Sequence, residues 1–180
     1  VKNPVHPDLE LWIGALERLD QAGIHRLATI HRGFHTYEKS RYRNAPLWSL
    51  PLELKRRIPT LPILNDPSHI CGDRALIAGV AQTAIDLGFN GLMVEVHPDP
   101  ANALSDPEQQ LTPDGFRTLI AGLVFRKPTT DDAVVRHVLD DLRKRIDRID
   151  DELLELQAVR MQAMLEIAAY KWERNLTSLQ

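Results

Sequence analysis

Residues 61–73 read LPILNDPSHICGD, an apolar run from Leu61 to Leu64 that stops on Asn65, Asp66, Pro67, Ser68 and His69. A short apolar segment bounded by Asn, Asp, Pro and Gly is the pattern of a buried strand entering a turn. A turn does not need the imidazole. Folds with parallel strands build their sites from polar side chains just beyond the C-terminal strand ends. Two questions follow: whether the neighbouring segments are strands too, and whether they also end on polar groups.

On both sides the pattern alternates. PDLELWIGALERLDQAG (residues 7–23) is an amphipathic helix with Pro7 in its first turn and Gly23 at its stop. IHRLATIH (24–31) is a short strand, followed by a loop rich in Arg and aromatic residues. SLPLELKRRI reads as a helix, LPILN as a strand, and DRALIAGVAQTAIDLG as a helix closed by Gly88. GLMVEV (91–96) is a buried strand interrupted by Glu95, and a last helix starts with Thr112 as N-cap and Pro113 at its first position. Strands and helices alternating in this way imply βαβ units and a parallel sheet. Three strands are clear, and Val1-Lys2 fits the tail of a fourth. The pattern suits about half of an eight-stranded barrel or most of a small doubly wound sheet, and does not choose between them.

Composition narrows the function classes. The 180 residues are 43% hydrophobic and 26% charged, with a net charge of −3. This mild acidity gives no basis for binding nucleic acid or an anionic membrane, and no apolar run approaches the ~20 residues that span a bilayer. VKNPVHPD is no secretory signal, and the single cysteine, Cys71, excludes an internal disulfide and suits a reducing cytoplasm. The chain opens on Val1 inside a motif and closes on WERNLTSLQ without a helix-ending signal, so a piece of a longer polypeptide is expected.

FRKPTTDDA reads as a linker, and the character changes after it: no Gly or Pro occurs from Asp131 to Arg174. Leu139, Leu142, Ile146, Ile149, Leu153 and Leu156 step by three and four, a seam suited to partner helices. The same step continues to Arg160, an anomaly because burying an unpaired charge is costly. Lys171 follows on the same face, about 16 Å along the axis. Two such cations would hold a substrate with two negative groups, or else snorkel from the edge of the seam.

The strand ends answer the second question. One strand ends on His31 and Arg32, the next on Asp66 and then His69, the third carries Glu95 and runs into His97, and the following loop adds Asp106. His69, Glu95 and Asp106 form a mixed nitrogen and oxygen set suited to a divalent ion such as Mn, Fe, Co or Zn. Each alone has an ordinary alternative: a polar loop histidine, a solvated glutamate, an aspartate in a turn. Arg32 and Lys2 suit a phosphate or carboxylate, with surface ion pairs as the plain alternative.

HRGFHTYE, LPILNDPSH and GLMVEVHPDPANALSDPEQQLTPDGF, with their spacing, resemble the C-terminal half of type Iβ 3-deoxy-D-arabino-heptulosonate 7-phosphate (DAHP) synthase over residues 1 to about 125. That resemblance implies a (β/α)8 barrel that condenses phosphoenolpyruvate with erythrose 4-phosphate. It implies His69, Glu95 and Asp106 as metal ligands, and Lys2 and Arg32 as the residues holding phosphoenolpyruvate. The family's fourth ligand, a cysteine, belongs to the other half of the barrel, as do the basic residues for erythrose 4-phosphate. Cys71 falls elsewhere in the motif, and His31 stands where many relatives carry Glu.

LRKRIDRIDDELLELQAVRMQAMLEIAAYK is similar to the first helix of all-helical chorismate mutases, which implies Arg143, Arg160 and Lys171 as chorismate-binding cations. It also implies a homodimer through the mutase helices, with Arg143 serving the opposite protomer. The expected layout is a partial barrel over 1–126, a linker over 127–132, and an incomplete mutase helix over 133–180. The alternatives are the sister 3-deoxy-octulosonate 8-phosphate synthase, which uses arabinose 5-phosphate, and an inactive fragment serving as an interaction or regulatory module. The 180-residue piece alone is expected to be inactive.

Overall fold

The computed structural model describes residues 1–126 and 131–177, so most of the expected linker (127–130) and the last three residues lie outside the described residues. The chain divides into two units, Val1–Arg126 and Lys127–Gln180.

The first unit runs α1 (Leu9–Gln21), β1 (Thr29–His31), α2 (Ser49–Arg57), β2 (Ile63–Asn65), α3 (Pro67–Cys71), α4 (Ile77–Asp86), β3 (Gly91–Leu92) and α5 (Pro113–Gly122). The three strands are parallel in the order β1-β2-β3, with His31 opposite Asn65 and Asn65 opposite Leu92. Lys2 bridges to Ile30 in parallel, so the Val1-Lys2 segment extends the sheet beyond β1. The backbone N–H of Ile30 donates to Val1 O at 2.8 Å and that of Asn3 to Ile30 O at 3.0 Å.

Local chemistry sets the helix ends. Asp8 caps α1 by accepting from Leu11 N at 2.9 Å, so Pro7 precedes the cap rather than standing inside the first turn. Thr112 caps α5 through Gly115 N at 3.0 Å, with Pro113 in the first turn, as read from the sequence. The segment after β2 departs from a plain turn. Asp66 caps a five-residue helix, α3, with Pro67 at its start and Gly72 at φ 66° closing it. A Cβ on Gly72 would stand 2.7 Å from Arg43 Cβ, so only glycine fits there.

Two expected strands are shorter than read. Pairing begins only at Thr29 in the segment expected from Ile24. The expected buried strand GLMVEV is regular only over Gly91–Leu92, and Met93 and Val96 are each 41% exposed. No strand lies on the outer edge of β3 among the described residues, so nothing continues the ladder on that side. Residues 95–97 instead pair with the returning chain, where Leu111 N donates to Glu95 O at 3.0 Å and His97 N to Leu111 O at 2.9 Å.

One buried cluster joins Trp12 and Leu16 of α1 to Phe34, Leu54, Ile63, Ala84 and Phe89. A second joins Ile70 and Cys71 of α3 to Ile77, Val80 and Ala81 of α4 and Leu119 of α5. Trp48 and Leu92 pack against both. Fully burying a side chain of this size stabilises by about 2–3 kcal/mol. α3 is thereby fixed, and with it the side chains it carries.

The second unit is one helix, α6 (Ala133–Glu173), capped by Asp132 through Val134 N at 2.9 Å. Its seam is open, with Leu139 41%, Ile149 46% and Leu156 65% exposed. No helix among the described residues is long and apolar enough to cross a membrane.

Candidate metal and anion site at the strand ends

The cap of α3 is the hub of the site. Asp66 is 1% exposed. Its Oδ1 accepts from His69 N at 3.1 Å, and its Oδ2 stands 2.9 Å from Lys2 Nζ and 2.9 Å from His69 Nδ1. A buried carboxylate needs such partners, because desolvation otherwise opposes its charge. The approach of Oδ2 to His69 Nδ1 is electrostatic rather than an aligned hydrogen bond, since that buried nitrogen has no partner in hydrogen-bonding geometry. With Asp66 on the Nδ1 side, the other ring nitrogen is directed outward: His69 Nε2 lies 3.5 Å from Glu95 Oε1.

Glu95 is held from two sides. Its backbone N–H donates to Ser68 Oγ of α3 at 3.0 Å. Gln109 Nε2 donates to its Oε2 at 2.7 Å. The same Gln109 accepts from an Arg43 guanidinium nitrogen at 2.9 Å, and that nitrogen also donates to Asp106 Oδ1 at 2.8 Å. Asp106 has φ 47°, an uncommon backbone state for a residue with a side chain.

His69 and Glu95 are thus brought together, as the sequence predicts, whereas Asp106 is engaged by Arg43. Among the described residues no three His, Cys, Asp or Glu side chains stand close enough together to hold a metal ion. The donor chemistry nonetheless fits a divalent ion in part. Two donors on one ion with bonds of about 2.1 Å stand roughly 3–3.5 Å apart, the spacing of His69 Nε2 and Glu95 Oε1. A carboxylate behind the other ring nitrogen is the usual support of a ligating histidine.

The backbone segments carrying Lys2 and Arg32 are joined by Asn3, which is 4% exposed. Its side chain accepts from Arg32 N at 2.6 Å and donates to Gly33 O at 2.8 Å, tying the two cation-bearing segments together. Gly33 has φ 76°, and a Cβ there would lie 2.8 Å from Asn44 O.

His31, although it ends a strand, belongs to the core. It is fully buried against Phe34, Trp48 and Phe89. Asn65 Nδ2 donates to its Nδ1 at 3.1 Å, so Nε2 carries the proton given to Pro46 O at 2.6 Å. Burial pushes its pKa down to about 4, against smaller opposing effects of the Pro46 carbonyl and the Asp66 charge. Cys71 is likewise a core residue. Its thiol is pushed up to about 12 by burial, with the Asp73 charge adding to it.

On α6, considered by itself, Arg143 pairs with Asp140 at 2.9 Å. Arg160 is exposed and Lys171 half-buried, 11 residues apart on one face of the helix. Arg160 therefore bears no burial cost on this open helix.

Sequence reasoning missed Asn3, Arg43 and Gln109. Nothing in the pattern distinguishes buried Gln109 from Gln110, which turns to Ser105 O at 2.7 Å.

Comparison with known proteins agrees with this architecture. Residues 1–124 match the DAHP synthetase I family, and residues 142–180 match chorismate mutase type II. The phospho-2-dehydro-3-deoxyheptonate aldolase of Thermotoga maritima is 35% identical over 112 residues, covering 62% of this chain and 32% of that protein. A 2-dehydro-3-deoxyphosphooctonate aldolase of Legionella pneumophila is 38% identical over 65 residues, covering 33% of this chain and 24% of that protein. Among solved structures, a truncated DAHP synthase from Thermotoga maritima superposes with a TM-score of 0.61 at 35% identity, covering 67% of this chain and 45% of that one. The chain spans about a third of the length of the first of these relatives. The parallel sheet is the C-terminal half of a (β/α)8 barrel and α6 is the long helix that follows it. The chain belongs to the DAHP synthetase I family, its barrel segment followed by a chorismate mutase type II segment.

Proposed function

We propose that the polypeptide containing this chain condenses phosphoenolpyruvate with erythrose 4-phosphate to DAHP, the first step of the shikimate pathway. We further propose that its C-terminal segment contributes to a chorismate mutase that converts chorismate to prephenate. The observation that carries the first reading is the buried Asp66 carboxylate, with Lys2 on one side and His69, facing Glu95, on the other.

Lys2 and Arg32 bind the anionic groups of phosphoenolpyruvate, Lys2 as a point charge and Arg32 through a planar fork. Asn3 joins the backbone segments that carry the two cations. C3 of the enolpyruvate attacks the aldehyde carbon of the sugar phosphate, and water at C2 releases inorganic phosphate. His69 through Nε2, Glu95 through Oε1 and Asp106, once released from Arg43, are the residues of this chain that would hold a divalent ion of the Mn, Fe, Co or Zn class. When bound, such an ion supplies polarisation of the aldehyde or orientation of the water.

For the mutase, Arg160 and Lys171 hold the two carboxylates and the ether oxygen of chorismate in a reactive conformer, and Arg143 serves the site of a second copy. Fixed cations favour the charge that develops on oxygen, and no nucleophile is required.

The test is a phosphate-release assay on the polypeptide as encoded, with phosphoenolpyruvate and either erythrose 4-phosphate or arabinose 5-phosphate, before and after EDTA. Turnover with the four-carbon sugar, lost with EDTA and regained with Mn²⁺, is expected. Preference for arabinose 5-phosphate would establish the octulosonate reading suggested by the Legionella relative's name. No turnover with either sugar would leave a non-catalytic module.

A further inference from the structure

The proposal concerns Gln109 and rests on the metal reading above. Gln109 is 1% exposed, and its side-chain amide has one partner on each side. Its nitrogen donates to Glu95 Oε2 at 2.7 Å, and its oxygen accepts from Arg43 at 2.9 Å. A carboxylate has two equivalent oxygens and a free torsion, so nothing intrinsic to Glu95 decides which oxygen faces His69. The amide decides it: with Oε2 occupied by Gln109, Oε1 alone is presented to His69 Nε2, 3.5 Å away. Arg43 fixes the orientation of the amide, because a guanidinium can only donate and so demands the amide oxygen on its side. The same guanidinium nitrogen holds Asp106 at 2.8 Å; that contact would open as Asp106 turns to the ion, while the bond to Gln109 stays.

We infer that Gln109, oriented by Arg43, is a positioning residue that presents Glu95 to a divalent ion through a single oxygen and thereby sets the affinity and coordination geometry of the site. It touches neither substrate nor ion. It acts by removing one of the two binding modes open to Glu95, the supporting role for which loss of a partner commonly costs ten- to a hundredfold in metal affinity.

The experiment uses the polypeptide as encoded, stripped of metal. Mn²⁺ binding is measured by calorimetry, and Co²⁺ is added to read the visible ligand-field spectrum. Gln109→Leu keeps the size of the side chain and removes both hydrogen bonds. A ten- to hundredfold weaker Mn²⁺ affinity and a changed Co²⁺ band shape are expected, with phosphoenolpyruvate binding in the absence of metal unaltered. Because Gln109→Leu leaves polar partners unpaired and can impair folding, Arg43→Lys is measured beside it. It keeps the charge but loses the guanidinium nitrogen that reaches the Gln109 amide oxygen, and a smaller shift of the same Co²⁺ band is expected. His69→Ala separates the two readings. If His69→Ala abolishes Mn²⁺ binding while Gln109→Leu and Arg43→Lys bind with unchanged affinity and spectrum, the positioning role is wrong and the metal site stands. If the unsubstituted polypeptide takes up no Mn²⁺ or Co²⁺, both readings fall together.

Discussion

The buried histidine of β1 makes the stability of the barrel segment depend on pH between 6.5 and 4. In the fold, His31 has a pKa of about 4 against an ordinary value of 6.5, lowered chiefly by burial. A depressed base is neutral in the folded chain while the unfolded chain takes up a proton. Stability from this residue is therefore complete above pH 6.5 and is lost as pH falls towards 4. One pKa unit corresponds to about 1.4 kcal/mol. Between pH 7 and pH 5 the loss amounts to roughly 2 kcal/mol. For a denaturant slope of about 2 kcal/mol per molar urea, the midpoint moves down by roughly 1 M. Glu53, held at about 2 by its bonds to Arg56 and Arg57, changes stability only below pH 4.5 and does not contaminate this interval. The assay is urea unfolding followed by tryptophan fluorescence at pH 7, 6 and 5, on the unsubstituted protein and on His31→Gln. That substitution keeps an amide donor for Pro46 O and removes the titration. The variant's midpoint is expected to lose the part of the pH slope due to His31. The same slope in both proteins, or a His31 ring signal titrating near 6.5 by NMR, would refute the argument.

Three further outcomes are expected. Gly33→Ala should destabilise by more than about 1 kcal/mol, read as a lower thermal midpoint, because φ is 76° and the added Cβ meets Asn44 O; an unchanged midpoint would contradict it. Asp66→Asn keeps a good cap for α3 and removes only the charge. It should shift stability by no more than about 1 kcal/mol, since Lys2 is partly solvated, yet weaken Mn²⁺ binding ten- to a hundredfold in calorimetry. Cys71 should resist alkylation by iodoacetamide at pH 8 in the native protein and react promptly in urea, because its buried thiol is pushed up to about 12; native labelling at the denatured rate would show it exposed.

Much of the fold was legible because it rests on local signals. The caps at Asp8 and Thr112, the glycine stops and the apolar run of LPILN all report conformation within a few residues. The sequence overstates the strands where pairing, rather than composition, sets their length: LMV is as apolar as LPIL, but among the described residues no strand lies on the outer edge of β3. At the candidate site, the sequence singles out His69 and Glu95 because strand ends collect polar groups, and the structure sets their side chains 3.5 Å apart. His31, at an equivalent strand end, turned inward among aromatic rings instead. Whether a polar side chain at the last strand position faces the site or the core is a matter of register, which the sequence does not print. Asn3, Arg43 and Gln109 act through contacts across 14 to 66 residues of chain, and no short-range pattern encodes those.

One oxygen of Asp66 serves two clients. Lys2 Nζ and His69 Nδ1 both stand 2.9 Å from Oδ2. Any anion that draws the Lys2 ammonium away leaves that oxygen to the imidazole alone, sharpening its hold on the ring that points at Glu95. Thermodynamic reciprocity then requires that whatever fixes the ring also loosens Lys2 for the anion. Binding of an anion at Lys2 and of an ion at His69 would then be coupled through a single buried atom.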